Sequence, residues 1–221
     1  MIIGIHQPNY LPWVGYFKKI LHSDVFVFLD CVQFTKGGYQ NRVKVKGPEG
    51  DLWLTQLIAK NNNNGFEKIN KIKFNNIEFW ANKHLKTIQS NYKRAKYFDS
   101  LFPILNKFYN DNKLQSLCDF NIGLIKLMCA YMKIEKKPFY KSSELNTSSG
   151  QTERLVSICK TLNGTEYLSG QGGKNYQDIS LFEGNNIRVK FVEGDHPVYK
   201  QCWKGFLPGL SIIDLCFNEG P

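Results

Sequence analysis

The chain has 221 residues, of which 42% are hydrophobic and 14% aromatic, and a formal net charge of +10. This is enough apolar material to bury a sizeable core as one domain, with or without an insertion, and it excludes general disorder. No apolar run approaches the roughly 20 residues needed to span a bilayer, and the N-terminus lacks the charged region and cleavage site of a signal peptide, so a cytoplasmic protein with no membrane insertion is expected.

The chain opens on a short apolar run, Ile2-Ile3-Gly4-Ile5, then the polar cluster His6-Gln7-Pro8-Asn9-Tyr10, then Leu11-Pro12-Trp13-Val14-Gly15-Tyr16-Phe17. The pattern predicts strand, loop and helix, because proline at a first helical position loses no intrahelical hydrogen bond. The polar loop then lies at the carboxyl end of a strand and the amino end of a helix, where free N–H groups favour an anionic ligand. The helix is expected to end near Leu21. The stretch from Asp24 to Asp30 has the continuous hydrophobicity of a strand buried on both faces, as in a parallel sheet. A βαβ unit of this kind brings Asp30 and Gln33 to the edge that carries His6, where open α/β sheets bind ligands.

Residues 39–58, built round the turn Gly47-Pro48-Glu49-Gly50, read as a β-hairpin. Asn61 to Asn64 with Gly65 reads as a loop. From Ile77 to Phe98 apolar residues recur every three or four positions, and further helical stretches run from about Pro103 to Tyr109 and from about Leu117 to Met132. His84, beside the apolar face of the first, reads as a packed or surface histidine. Three helices in succession interrupt the alternation of strand and helix, so residues 77–133 are taken as a helical insertion.

The alternation resumes with a strand at Phe139-Tyr140 and a helix carrying Leu155, Ile158, Cys159 and Leu162 that ends at Asn163-Gly164. A strand at Glu166-Tyr167-Leu168, a polar loop from Ser169 to Lys174, a strand from Ile187 to Val192 and a stretch from Leu207 to Phe217 that begins with a turn at Pro208-Gly209 and continues as an apolar helix complete the chain. The expected fold is α/β: a Rossmann-like, mostly parallel sheet with a β-hairpin and a helical insertion, in a single domain over residues 1–221.

Three polar loops carry the candidate chemistry. His6 suits a hydrogen-bond donor to phosphate or a general base toward an attacking amine. Asp30 suits either a cap on the following turn or a ligand for a substrate hydroxyl or amine. Lys36 and Arg42 are anion contacts or solvated charges. Ser169, Gly170, Gly172 and Gly173 suit backbone approach to phosphate or a tight turn, and they match neither the P-loop nor the dinucleotide fingerprint. Tyr176 and Asp178 suit a sugar hydroxyl, and Asp178 equally suits a helix cap.

The six cysteines have no CxxC pair and most sit in apolar surroundings, so buried free thiols are expected over disulfides or a zinc site, and no metal ligand set is assigned. No cysteine has an activating neighbour and no Ser-His-Asp order assembles, which disfavours covalent catalysis. The charge is diffuse. It fits a solvated lysine-rich surface or attraction for nucleotides, nucleotide-linked substrates or tRNA, with no RNA-recognition or zinc-finger pattern to favour the last.

His6-Gln7-Pro8-Asn9-Tyr10-Leu11-Pro12-Trp13, Leu29-Asp30 with Val32-Gln33-Phe34, Gln40-Asn41-Arg42, Tyr167-Leu168-Ser169-Gly170 with Gly172-Gly173 and Tyr176, and Leu210-Ser211-Ile212-Ile213-Asp214 together resemble the WbqC-like family. The motifs stand in the right order over nearly the whole chain. The family is known mainly from O-antigen and other surface-polysaccharide gene clusters, and some members are described as glycine transferases. The resemblance therefore implies a bacterial enzyme of lipopolysaccharide precursor synthesis. A weaker likeness is to the nucleotidyltransferase and adenylate-forming superfamily, whose HxGH motif binds ATP. His6 aligns with its first histidine, while Pro8 stands for the glycine and Asn9 for the second histidine.

Taken together, these readings lead us to expect a transferase that moves an aminoacyl group such as glycyl, or another acyl group, to the amine of a nucleotide-linked amino sugar. His6, Tyr10 and Asp30 would be catalytic, and Gln7, Asn9, Gln33, Lys36, Asn41, Arg42, Ser169, Gly170, Gly172, Gly173, Tyr176 and Asp178 would contact substrate or phosphate. ATP with a free amino acid, a coenzyme A thioester and a charged tRNA are all compatible acyl sources. The alternatives are nucleotidyl transfer to a sugar phosphate and a non-catalytic nucleotide-sugar-binding subunit.

Overall fold

The computed structural model describes residues 1–60, 67–111, 114–175, 177–194 and 196–221. The asparagine tract from Asn61 and the candidate Tyr176 lie outside the described residues. In chain order the elements are β1 (Ile2–His6), α1 (Val14–Leu21), β2 (Val25–Phe28), β3 (Arg42–Gly47), β4 (Gly50–Thr55), α2 (Ile77–Tyr92), α3 (Phe98–Asp111), α4 (Leu117–Tyr131), β5 (Phe139–Lys141), α5 (Thr152–Thr161), β6 (Glu166–Ser169), α6 (Ile179–Glu183), β7 (Arg188–Phe191) and α7 (Ile212–Glu219). Short 3-10 turns cover Ile69–Lys71, Ser142–Glu144 and Gln171–Asn175. No described helix is long and apolar enough to cross a membrane.

Two compact units divide the chain. The first comprises Met1–Gln7, Gly15–Cys31 and Glu135–Asp195. It is built on a five-stranded sheet in the order β5-β2-β1-β6-β7, and every pairing in it is parallel. The strands alternate cleanly between two covered faces. Ile3, Ile5, Val25 and Val27 pack with Leu155, Ile158 and Cys159 of α5 and Phe182 of α6. On the other face Phe26 meets Tyr16 of α1, ring centroids 5.5 Å apart. Gly4 belongs to this face, where a Cβ would stand 2.9 Å from Ser23 Oγ, so only glycine lets the turn after α1 lie that close. α5 ends as expected, with Asn163 at φ 55° and the Gly164 N–H donating to the Cys159 carbonyl at 2.7 Å.

The second unit comprises Pro8–Val14, Val32–Ile134 and His196–Pro221. Its hairpin β3–β4 is antiparallel and closes between Gly47 and Gly50; Gly50 has φ 128°, a conformation that glycine adopts without strain. Trp80, Phe74, Phe120 and Tyr109 form a continuous aromatic core between α2, α3 and α4. Two helix boundaries differ from expectation. α2 stops at Tyr92, and α3 begins at Phe98 with Pro103 inside it. Burial of Leu101 and Leu105 and stacking of Phe98 on Phe102 and Phe217 outweigh the single hydrogen bond that a proline near a helix start removes. The last helix follows the Pro208-Gly209 turn as expected: α7 begins at Ile212, capped by Ser211. All six cysteines are free, four of them buried.

Candidate active site

Parallel pairing gathers the ends of the first unit's strands at one edge. His6 pairs with Phe28, and Phe28 pairs with Lys141, so the chain continues from this level into Asp30 on one strand and into Ser142 and Ser143 on another. Ser169 closes β6 on the far side of β1. The residues just past the apolar strands are the polar ones, in the position where open parallel sheets hold ligands.

His6 is half-buried, with its Nδ1 3.2 Å from the Gln7 carbonyl. A carbonyl only accepts, so Nδ1 carries the proton and the lone pair is on Nε2. Tyr16 donates to the same carbonyl at 2.9 Å and stands against the imidazole, ring centroids 4.6 Å apart. Burial, reinforced by the positive charge of Lys19, pushes the imidazole down to about 3. It is therefore neutral at physiological pH.

Lys19 is the functional candidate that the sequence reading missed. It is only 4% exposed, its Nζ donates to the Ile5 carbonyl at 3.0 Å, and burial pushes its ammonium down to about 7. A Cβ on Gly170 would lie 3.7 Å from this Nζ, so the amine stands between the His6 strand and the start of the glycine-rich loop. Tyr16, Lys19 and Ile20 share one helical face by their spacing of three and four. That placed a lysine among apolar residues, and it was the available signal.

The Asp30 carboxylate holds the turn at Ser142 and Ser143 of a distant segment, not the turn that follows it in the chain. Asp30 is 1% exposed, and its carboxylate accepts from Ser142 Oγ at 2.9 Å, Ser143 N at 2.8 Å and Ser143 Oγ at 2.6 Å. In the glycine-rich loop Ser169 Oγ donates to Gln177 Oε1 at 3.0 Å. A Cβ on Gly173 would come within 2.7 Å of that same Oε1, whereas Gly172 has open space around it. Asp178 caps α6 by accepting from the Leu181 N–H at 3.3 Å.

The remaining candidates belong to the second unit. Tyr10 is fully buried. Its hydroxyl donates to His84 Nδ1 at 2.8 Å and also bonds the Tyr109 hydroxyl, while His84 Nε2 donates to the Thr55 carbonyl at 3.1 Å. Burial raises the Tyr10 phenol well above its ordinary range and pushes His84 down to about 4. His84 is thus a packed histidine, and Tyr10 lies inside a buried relay of hydroxyls. Gln33 is exposed and bridges the backbone of Lys68; Lys36 is exposed. The Arg42 guanidinium lies 4.2 Å from the centroid of the Trp53 ring. Asn9 and Asn41 are buried.

Residues 7–221 match the model of the WbqC-like protein family. The chain belongs to the WbqC-like family. It is also 33% identical over 219 residues to the uncharacterized protein Rv1507c of Mycobacterium tuberculosis (strain ATCC 25618 / H37Rv), covering 99% of this chain and 94% of that one. No solved structure matches the chain. The likeness to the HxGH superfamily is not carried by these comparisons. The WbqC-like match takes in all the candidate residues named above except His6, which immediately precedes it.

Proposed function

We propose that this WbqC-like protein is a transferase that joins an aminoacyl or other acyl group to the amine of a nucleotide-linked amino sugar in surface-polysaccharide precursor synthesis. The observation that supports it is the pairing of a neutral imidazole, His6, with a buried amine, Lys19, at the carboxyl edge of a parallel sheet. In the reaction the sugar amine attacks the acyl carbonyl, the C–N bond forms and the bond to the leaving phosphate or thiolate breaks. The leaving group departs with the electron pair, and His6 Nε2 takes the proton from the amine. An anionic substrate alongside favours the charged forms of both residues, raising His6 toward the range of a working base and converting Lys19 to a full ammonium. Backbone N–H groups at Gly170–Gly172 add donors for phosphate, while that of Gly173 closes the turn on the Gly170 carbonyl. Asp30 holds the neighbouring turn, so its contribution is to position the edge.

The test begins with thermal-shift and calorimetric screening against ATP, coenzyme A and nucleotide-linked amino sugars, because a ligand of the native state raises its apparent stability. With a substrate pair in hand, His6→Ala is expected to lower turnover by about 10²- to 10⁴-fold with substrate binding retained. Unchanged turnover removes the assignment. Magnesium-dependent pyrophosphate release with a sugar phosphate and no amine replaces it with nucleotidyl transfer.

A further inference from the structure

The β3–β4 hairpin of the second unit turns one face to the core and the other to solvent. Val43, Val45 and Leu54 face inward and are 2%, 0% and 2% exposed, whereas Trp53 on the outer face is 39% exposed. The register sets Trp53 directly opposite Lys44, with Arg42 on the same face and diagonal to it. The Arg42 guanidinium lies 4.2 Å and the Lys44 ammonium 5.2 Å from the centroid of the Trp53 ring, within the range of cation–π attraction. Lys44 is paired with Asp51 at 2.7 Å, and among the described residues no carboxylate pairs with Arg42.

Two further rings continue this surface from other segments of the same unit. Tyr39, 47% exposed, stands 5.9 Å from Trp53 at an interplanar angle of 45°, and Trp13 stands 5.5 Å from Tyr39 at 57°. Backbone contacts hold both in place: the Tyr39 carbonyl accepts from the Tyr10 N–H at 3.1 Å, and Trp13 forms an antiparallel bridge with Ser211. The rings are tilted, so none covers its neighbour's face as a parallel stack would. Lys36, three positions before Tyr39, is exposed as well.

We propose that this face, with Trp13, Tyr39, Trp53 and Arg42, binds single-stranded nucleic acid. Bases stack on the rings whatever their sequence, and the guanidinium takes a backbone phosphate through paired N–H donors. The mixture of groups selects the class. A polyacidic peptide would satisfy Arg42 and leave the rings idle, and a purely apolar partner would strand the guanidinium out of water. A duplex presents phosphates but keeps its base faces stacked on one another, whereas an unpaired strand offers both. A mononucleotide calls for a concave site that covers most of it, and rings as exposed as Tyr39 and Trp53 do not supply one. The net charge of +10 adds long-range attraction for a polyanion. Binding here needs neither His6 nor turnover, so it stands apart from the transferase reading.

The experiment titrates the full chain with a fluorescein-labelled oligouridylate of about twelve nucleotides, following anisotropy and tryptophan fluorescence at about 50 and 200 mM salt. Saturable binding is expected, with tryptophan quenching and weaker affinity at the higher salt. An oligodeoxythymidylate of the same length is expected to bind too, since stacking and phosphate pairing need no 2′-hydroxyl. Trp53→Ala and Arg42→Gln are each expected to weaken binding about tenfold or more. Tyr39→Ala, in a loop, is expected to weaken it in the same direction and serves if Trp53→Ala loosens the hairpin. Lys86→Ala, exposed on α2, and His6→Ala are expected to bind as the parent does. Equal affinity for a blunt duplex, which would mean attraction by net charge alone, overturns the proposal, as does equal affinity for uridine monophosphate. So do absence of binding at the lower salt and affinity unchanged in folded Trp53→Ala and Tyr39→Ala chains.

Discussion

At the scale of single residues, the protonation states at the sheet edge set what the site can do. His6 and Lys19 are both held toward their neutral forms by burial, and an incoming anion reverses this for each. Binding of a phosphate- or carboxylate-bearing ligand is therefore expected to take up protons near pH 7, which calorimetry in two buffers of different ionisation enthalpy measures directly. Lys19→Met removes a positive charge that depresses His6, so the His6 titration point, followed by NMR, is expected to rise; no change would mean that the two side chains do not sense each other. The imidazole was legible in the sequence because it follows an apolar strand. The amine was not, because a lysine within a short helix reads as surface until the helix's packing is known. Asp30 was legible as a polar residue at a strand end, but its serine partners, more than a hundred positions away, were not.

At the scale of elements, the glycine-rich loop offers a clean contrast. Gly172→Ala meets open space, while Gly173→Ala drives a methyl group into Ser169 and Gln177. The first is expected to leave the melting temperature within a degree or two, and the second to lower it and disturb ligand binding at the edge. A loop that responds to both alike would not be the turn described. Asn121, fully buried and tying together segments around residues 8, 40 and 56, is expected to cost about 2–4 kcal/mol on replacement by leucine, because its partners are left buried and unsatisfied; urea denaturation measures it. Elements with strong local signals matched their expected spans: the strands of the parallel sheet, the hairpin and the long central helix. The boundaries that moved, the end of one helix at Tyr92 and the start of the next at Phe98, are those where aromatic stacking decided the break, which cannot be read from hydrophobic spacing.

For the molecule as a whole, buried bases govern stability against pH. His84 and His6 have native values of about 4 and about 3 against an ordinary 6.5, so the unfolded chain binds more protons as pH falls below about 6.5. Stability is fully present above that point and is lost progressively toward pH 4 and then 3, by about 3 kcal/mol for His84 alone. Lys19, about 7 against 10.5, adds a rise in stability between those values of up to about 5 kcal/mol. Asp214, whose carboxyl burial raises, works in the opposite sense at the acid end. Chemical denaturation between pH 4 and pH 10 is expected to show stability climbing across both windows, and Lys19→Met to flatten the alkaline one. The sequence by itself determined the α/β class, the parallel sheet, the hairpin and the family, because apolar periodicity and ordered motifs are local and survive without coordinates. Only the tertiary structure decided that Lys19 is buried beside His6, that Asp30 holds a turn, that Tyr10 is enclosed and that Asn121 ties together segments around residues 8, 40 and 56, because burial and hydrogen-bond partners depend on segments far apart in the chain.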